Sequence, residues 1–272
     1  TPFIYAITSR NSSAVSILLK AGADANHQDL KGISPLIYSL DKGNSKISQM
    51  LINAGADFDV ILKKSKVNTL MLAARAGDTS IIELLIMKGM DINSTSSAGV
   101  SPLMTAISYN HKEAAKLLID SGANINAKNK IGRSAIFYSA NKGIDPEIAK
   151  MLIDKGANIN EKEKNGFTPL RLAAAQGNTG DVKVLVKAGL SANGTSTTGE
   201  FTPLMSAAAN QQPVVVKQLL TYNLDVDARG TGGKTALMWA AKYNCLECVE
   251  LLIANGAETK LVDDKNKNAL DY

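Results

Sequence analysis

The feature that most constrains this chain is a triplet of the form Thr-Pro-Leu that returns every 33 or 34 residues along the whole sequence. It reads Thr1-Pro2-Phe3, Ser34-Pro35-Leu36, Asn68-Thr69-Leu70, Ser101-Pro102-Leu103 and Ser134-Ala135-Ile136. It continues as Thr168-Pro169-Leu170, Thr202-Pro203-Leu204, Thr235-Ala236-Leu237 and Asn268-Ala269-Leu270. A fixed period of this length marks a solenoid, in which one supersecondary unit stacks on copies of itself. The spacing predicts eight repeats, 1–33, 34–67, 68–100, 101–133, 134–167, 168–201, 202–234 and 235–267, with a partial ninth at 268–272.

Each repeat reads as a short helix, a tight loop, a second helix and an extended hairpin. The Ser, Thr or Asn that opens the triplet can accept from orphan amides of the first helical turn. Proline follows where no amide hydrogen is needed. Five of the seven prolines sit in triplets, and Pro146 and Pro213 fall at the start of second helices. Small residues such as Ala73-Ala74, Ala173-Ala174, Ala207-Ala208 and Ala240-Ala241, with Ser39 and Ser139 as variants, allow close helix approach. Paired aliphatics recur in the second helix at Leu18-Leu19, Leu51-Ile52, Leu85-Ile86, Leu118-Ile119, Leu152-Ile153, Leu185-Val186, Leu219-Leu220 and Leu252-Ile253, predicting one continuous core. Gly22, Gly55, Gly89, Gly122, Gly156, Gly189 and Gly256 mark left-handed ends of that helix, and Asn223 is expected to take the same conformation in repeat 7.

With these motifs in place, the chain resembles the ankyrin-repeat family. The pattern of triplet, Ala-Ala, Leu-Leu and Gly-Ala-Asp-x-Asn is legible at Gly22-Ala23-Asp24-Ala25-Asn26 and recurs at Gly122–Asn126 and Gly156–Asn160. The resemblance spans the whole chain and implies an all-α solenoid of helix-loop-helix repeats with β-hairpin loops. One departure is systematic: where the family often carries His after the triplet, this chain has Ile4, Ile37, Met71, Met104, Phe137, Arg171, Met205 and Met238. Apolar contact is expected to replace the family's hydrogen bond between repeats.

Composition sets further bounds. A hydrophobic content of 45% suits a folded protein, and aromatics at 5% suit a core of Ala, Leu and Ile. No run approaches the roughly 18 consecutive apolar residues of a membrane span, so no membrane insertion is expected. Thr1 opens in mid-repeat without a polar terminal cap, so the full-length protein is expected to extend upstream, where a signal or another domain would lie. The compartment is therefore left open between cytoplasmic and secreted. Cys245 and Cys248 are the only cysteines, and their spacing admits zinc or redox readings. Cys248 also occupies the register of Ile81, which makes it a small core residue and argues against a cysteine-stapled domain.

The family resemblance places partner binding on a concave face of first-helix ends and hairpin tips. Residues that vary within the fixed repeat there include Asp41-Lys42, Arg75-Ala76, Ser108-Tyr109, Asn141-Lys142 and Lys242-Tyr243. The partner-binding candidates are Lys31, Lys42, Lys64, Arg75, Tyr109, Lys130, Arg133, Lys142, Lys164, Lys242 and Tyr243. Residues 1–133 hold 15 basic and 10 acidic side chains, so the whole net charge of +5 lies in the first half. A basic strip favours an acidic partner, while the same lysines also serve to solubilise a long solenoid. Tyr5, Tyr38, Tyr138 and Trp239 share one register and are expected as half-buried framework, with Tyr109 and Tyr243 as exposed contacts. Extra residues fall in the hairpins Asp59–Val67 and Asn193–Phe201 and in the loop near Gly143-Ile144-Asp145.

Other signals are weak. Lys63-Lys64-Ser65-Lys66 fits a nuclear-import patch, and Asn11, Asn93 and Asn193 open glycosylation acceptor patterns. Hairpin asparagines at 26, 93, 126, 160 and 193 resemble hydroxylase targets in the family, against a turn-stabilising role. The two histidines, His27 and His111, lie far apart, and no phosphate loop, nucleophile elbow or metal cluster is present. The sequence therefore points to a non-enzymatic scaffold for a protein or peptide, an acidic one favoured, expected to be monomeric, with no cofactor, no metal and no nucleic acid. The alternative is the recognition arm of a larger enzyme or secreted effector whose other domain lies outside this segment.

Overall fold

The computed structural model describes residues 1–62, 64–193 and 201–272. They form two compact units, Thr1–Lys130 and Ile131–Tyr272. The first holds four helix pairs: α1 (Pro2–Thr8) with α2 (Ser12–Lys20), α3 (Pro35–Asp41) with α4 (Ser45–Asn53), α5 (Thr69–Ala76) with α6 (Thr79–Met87), and α7 (Pro102–Ser108) with α8 (Lys112–Asp120). The second holds α9 (Ala135–Ser139) with α10 (Pro146–Asp154), α11 (Pro169–Gln176) with α12 (Thr179–Lys187), α13 (Pro203–Ala209) with α14 (Pro213–Leu219), and α15 (Ala236–Lys242) with α16 (Leu246–Ala254). Within each unit first helices pack on first helices and second on second, so each is a solenoid stack.

The helix starts follow the sequence logic. Side chains of Thr1, Ser34, Asn68, Ser101, Thr168, Thr202 and Thr235 accept from the amide three residues on, and every proline opens a helix. Ser134 is the exception, because its hydroxyl donates instead to the buried carboxylate of Glu161, and α9 is the shortest α-helix among the described residues. The core is aliphatic as expected: Leu51, Leu85 and Leu118 are buried in the first unit, and Leu152, Leu185, Leu219 and Leu252 in the second. Leu18, in the first repeat of this sequence, is only half-buried. Residues in the family's histidine register are apolar and buried from Ile37 to Met238, except Ile4 and Arg171, which are half-buried.

Four expectations are corrected. The hairpins carry no strand among the described residues. Tips close through short-range backbone bonds, such as Asp29 N to Ile33 O at 3.1 Å and Gly32 N to Asp29 O at 2.9 Å, and the one bridge among the described residues pairs Ile61 with Asn68. Backbone groups at the tips turn to the next repeat instead, as from Lys130 N to Ala98 O (2.9 Å) and from Lys164 N to Ile131 O (2.9 Å), which leaves too few partners for a ladder. Asn223 does not take a left-handed conformation: α14 ends early at Leu219 and closes through short-range bonds, Thr221 N to Gln218 O and Tyr222 N to Leu219 O. A side chain in that conformation is strained, and a helix two residues shorter than its counterparts of nine avoids the strain. Tyr5, expected half-buried, is 76% exposed because no repeat precedes it among these residues.

The fourth concerns the cysteines. Cys248 is buried in the core register as expected, but it is joined to Cys245, the N-cap of α16, in a disulfide. The hairpin asparagines also do more than stabilise their own turn. Asn26 accepts from Asp57 N at 2.6 Å and donates to Gly55 O at 3.2 Å, and Asn93 accepts from Asn124 N at 2.8 Å. Asn193 likewise accepts from Asp225 N at 2.7 Å. These bonds tie one repeat to the next, and Asn11 is engaged as the N-cap of α2.

Candidate partner-binding surface

Successive copies of one register lie side by side in a solenoid, so variable residues at the ends of α3, α5 and α7 are brought together although about 33 residues separate them. Leu40, Asp41, Lys42, Gly43, Arg75, Ala76 and Tyr109 line an open depression of ≈ 430 Å³ in the first unit. Three of these, Lys42, Arg75 and Tyr109, are sequence candidates.

The polar contacts form a rung from each repeat to the next. Arg10 donates through Nη2 to the Lys42 carbonyl at 2.6 Å. Arg75 pairs with Asp41, its register neighbour one repeat earlier. His111 lies 2.9 Å from the Arg75 carbonyl through Nε2, which must carry the proton because a carbonyl only accepts. The His111 ring stacks with Tyr109, the centroids 6.5 Å apart and the planes at 7°. Tyr109 is 55% exposed, so the rung ends on an aromatic face open to solvent. Arg10, Lys42 and Arg75 against the single carboxylate of Asp41 leave this surface positive.

His111 and Arg10 were missed as site residues by sequence reasoning. The signal for Arg75 was available: Asp41 and Arg75 are opposite charges one period apart in one register, hence neighbours in any solenoid. For His111 the signal was Gly77. That residue has φ +69°, and a Cβ there would come within 2.6–2.9 Å of three ring atoms of His111. Gly77→Ala is therefore expected to cost about 2–3 kcal/mol, the left-handed strain adding to the displacement of His111. In a His111→Ala background the same change should cost about 1 kcal/mol, measured by a double-mutant cycle of denaturation midpoints.

The other candidates are placed as follows. Lys31, Lys64 and Lys130 are exposed at loop tips of the first unit. In the second unit Lys142 is exposed in the α9–α10 loop and Lys164 at a tip, while Lys242 lies over the rings of Trp239 (4.9 Å) and Tyr243 (5.5 Å). Arg133 is half-buried and reaches Glu163 at 3.6 Å, a carboxylate with no exposed surface, so its charge is met within its own unit. Lys64 and Lys66 of the basic patch are exposed; Lys63 lies outside the described residues, as does the Asn193 acceptor pattern beyond that asparagine.

Carboxylates hold the tips. Asp29 accepts from Lys31 N, Ile33 N and the Tyr38 hydroxyl (2.7 Å), and the tyrosine bond above all holds its carboxyl below the usual range. Asp263 accepts from Lys234, Tyr272 and two tip amides, and the lysine bond leads in holding it far below that range. Among the described residues no three His, Cys, Asp or Glu side chains gather as metal ligands, and no helix is long and apolar enough to cross a membrane.

Comparison with known proteins agrees with this architecture. A family model described as "Ankyrin repeats (3 copies)" matches residues 1–61, 58–129, 103–196 and 190–263. Over 77 residues, 28% of this chain and 8% of the relative, the chain is 35% identical to protein phosphatase 1 regulatory subunit 12A of Mus musculus. Over 137 residues, 50% of this chain and 46% of the relative, it is 31% identical to a putative ankyrin repeat-containing protein of Treponema pallidum. The chain thus spans less than half the length of these relatives. The crystal structure of the human ASB11 ankyrin repeat domain superposes with a TM-score of 0.67 at 27% identity, covering 74% of this chain and 90% of that one. The chain belongs to the ankyrin-repeat family, whose repeats are protein–protein interaction modules.

Proposed function

We propose that this chain is a monomeric scaffold that holds an acidic protein or peptide segment on a concave face of first-helix ends and loop tips. The observation that carries it is the positive depression between α3, α5 and α7, where Lys42, Arg75 and the exposed ring of Tyr109 converge. An exposed aromatic beside cations is the composition of a binding hot spot. Lys31, Lys64 and Lys130 extend the same charge along the tips of the first unit. Lys142, Lys164, Lys242 and Tyr243 offer cations and a ring in the second, with Arg133 held back by Glu163. That one relative is named as a regulatory subunit of a phosphatase supports a protein as the partner. Binding by such a surface needs no catalytic group, so the chain acts as an adaptor.

The test is a crosslinking pull-down from the native lysate, with wild type beside a Lys42→Glu, Arg75→Glu, Tyr109→Ala chain. We expect the partner held by wild type to be reduced at least ~10-fold by the triple variant, and the residual binding to weaken as salt rises. Equal capture by a correctly folded variant would place recognition elsewhere.

A further inference from the structure

In the second unit, the first helices α11, α13 and α15 enclose a cleft of ≈ 390 Å³ lined by Phe167, Arg171, Phe201, Ser206, Trp239 and Tyr243, among others. Its ring and guanidinium groups touch in sequence. The Arg171 guanidinium lies 4.4 Å from the Phe167 ring and 5.4 Å from Phe201, Phe201 tilts against Trp239 at 4.9 Å, and Trp239 stacks with Tyr243 at 5.9 Å and 10°. Ser206 explains the space: it shares the register of Trp239, Tyr38 and Tyr138, and its small side chain leaves open what a ring fills in those repeats.

Two polar groups here are unfinished. Ser206 is 1% exposed, and neither its hydroxyl nor the Trp239 indole Nε1 has a hydrogen-bond partner among the described residues. Buried donors of this kind are normally satisfied, and each asks for an acceptor. Among the described residues no carboxylate lines the cleft, whereas Arg171 lines it and the Lys242 ammonium sits over the Trp239 and Tyr243 rings.

We propose that this cleft takes the carboxylate side chain of an acidic residue in an extended peptide, with flanking aliphatic side chains packed on Phe201 and Tyr243. This rests on the chain being a protein-binding module and adds the chemistry that one site selects. A carboxylate supplies two acceptor oxygens for two donors, and its charge is met by Arg171 and Lys242. A cluster of four rings suits a singly charged group carried on an apolar neighbour better than a dianion.

Trp239 is the single tryptophan of the chain, so its indole N–H gives one NMR resonance that reports this cleft alone. The intact chain is titrated with acetyl-Leu-Glu-Leu-amide and with acetyl-Leu-Gln-Leu-amide. We expect the glutamate peptide to move that resonance and to bind at least ~10-fold more tightly than the glutamine peptide. Arg171→Gln should weaken it by a similar factor, and Ser206→Tyr should abolish it by filling the space. The glutamate–glutamine comparison needs no variant, so it stands even where Ser206→Tyr fails to fold. Equal response to both peptides, no response up to ~10 mM, or an equal response to inorganic phosphate would overturn the proposal. In the Lys42→Glu, Arg75→Glu chain the glutamate peptide should still move the Trp239 resonance. Should a native partner be lost by that chain and kept by folded Ser206→Tyr and Arg171→Gln chains, the basic depression would stand and the cleft would fall.

Discussion

Raising the pH from 5 to 8 should lower the stability of the second unit by about 3 kcal/mol through one residue, Asp181. Its side chain occupies the core register that Ile47, Ile81, Ala114, Ile148, Val215 and Cys248 fill in other repeats, and it is 0% exposed. Burial pushes its carboxyl up to about 7, against the bond donated by the Ser139 hydroxyl (2.8 Å) and with a further push from the charge of Asp145. A raised carboxyl binds a proton more readily in the folded chain than in the unfolded one. Its contribution to stability is therefore complete below the ordinary aspartate value and is lost as pH rises through about 7. Oδ1 of Asp181 has no hydrogen-bond partner among the described residues, so above that pH an ionised oxygen is left buried and unpaired there. Asp181→Asn keeps the acceptor for Ser139 and cannot ionise. Chemical denaturation at both pH values should show the variant gaining about 2–3 kcal/mol on wild type at pH 8 relative to pH 5. A parallel pH dependence in the two chains would show that Asp181 titrates as an ordinary carboxylate.

Phe137→Ala should cost about 3–5 kcal/mol, close to the upper range for a single core truncation. Phe137 stands in the register where the family often has His, is 0% exposed, and belongs to α9, a helix of five residues whose N-cap Ser134 makes no side-chain capping bond. Little local structure holds that helix, so packing of Ile136 and Phe137 must. Met104 and Met205 fill the same register in other repeats and are also buried, so Phe137→Met should cost less than about 1.5 kcal/mol. Thermal and denaturant midpoints of the two variants check this. Similar costs for both would mean that shape at this position, rather than apolar volume, sets stability.

Both positions show how far the sequence could be read. Helices, caps and prolines were legible because each depends on residues within one turn, and the period placed them in register. Asn223 failed because it assumed a helix of full length, and end position is set by packing as much as by the residue that suits the end. The strands failed because a tip closed by short-range bonds has no ladder to extend, and its amides find partners in the neighbouring repeat. The site was half legible. Variable positions named Lys42, Arg75 and Tyr109, but partners in the adjoining repeat, Asp41 for Arg75 and Glu163 for Arg133, emerge only when neighbouring repeats are compared. The same comparison exposes Asp181 in an apolar column and Ser206 in a column with aromatic members.

A photo-crosslinking amino acid in place of Tyr109, compared with one in place of Met87, tests most directly whether partners use the first-helix face. Both positions are exposed, at 55% and 72%, but Tyr109 borders the basic depression and Met87 lies on the second helix α6. With native lysate and equal irradiation, the expected result is a covalent partner band from position 109, suppressed by Lys42→Glu and Arg75→Glu, and none of that mass from position 87. A band from position 87 alone would contradict the assignment and move recognition to the second helices.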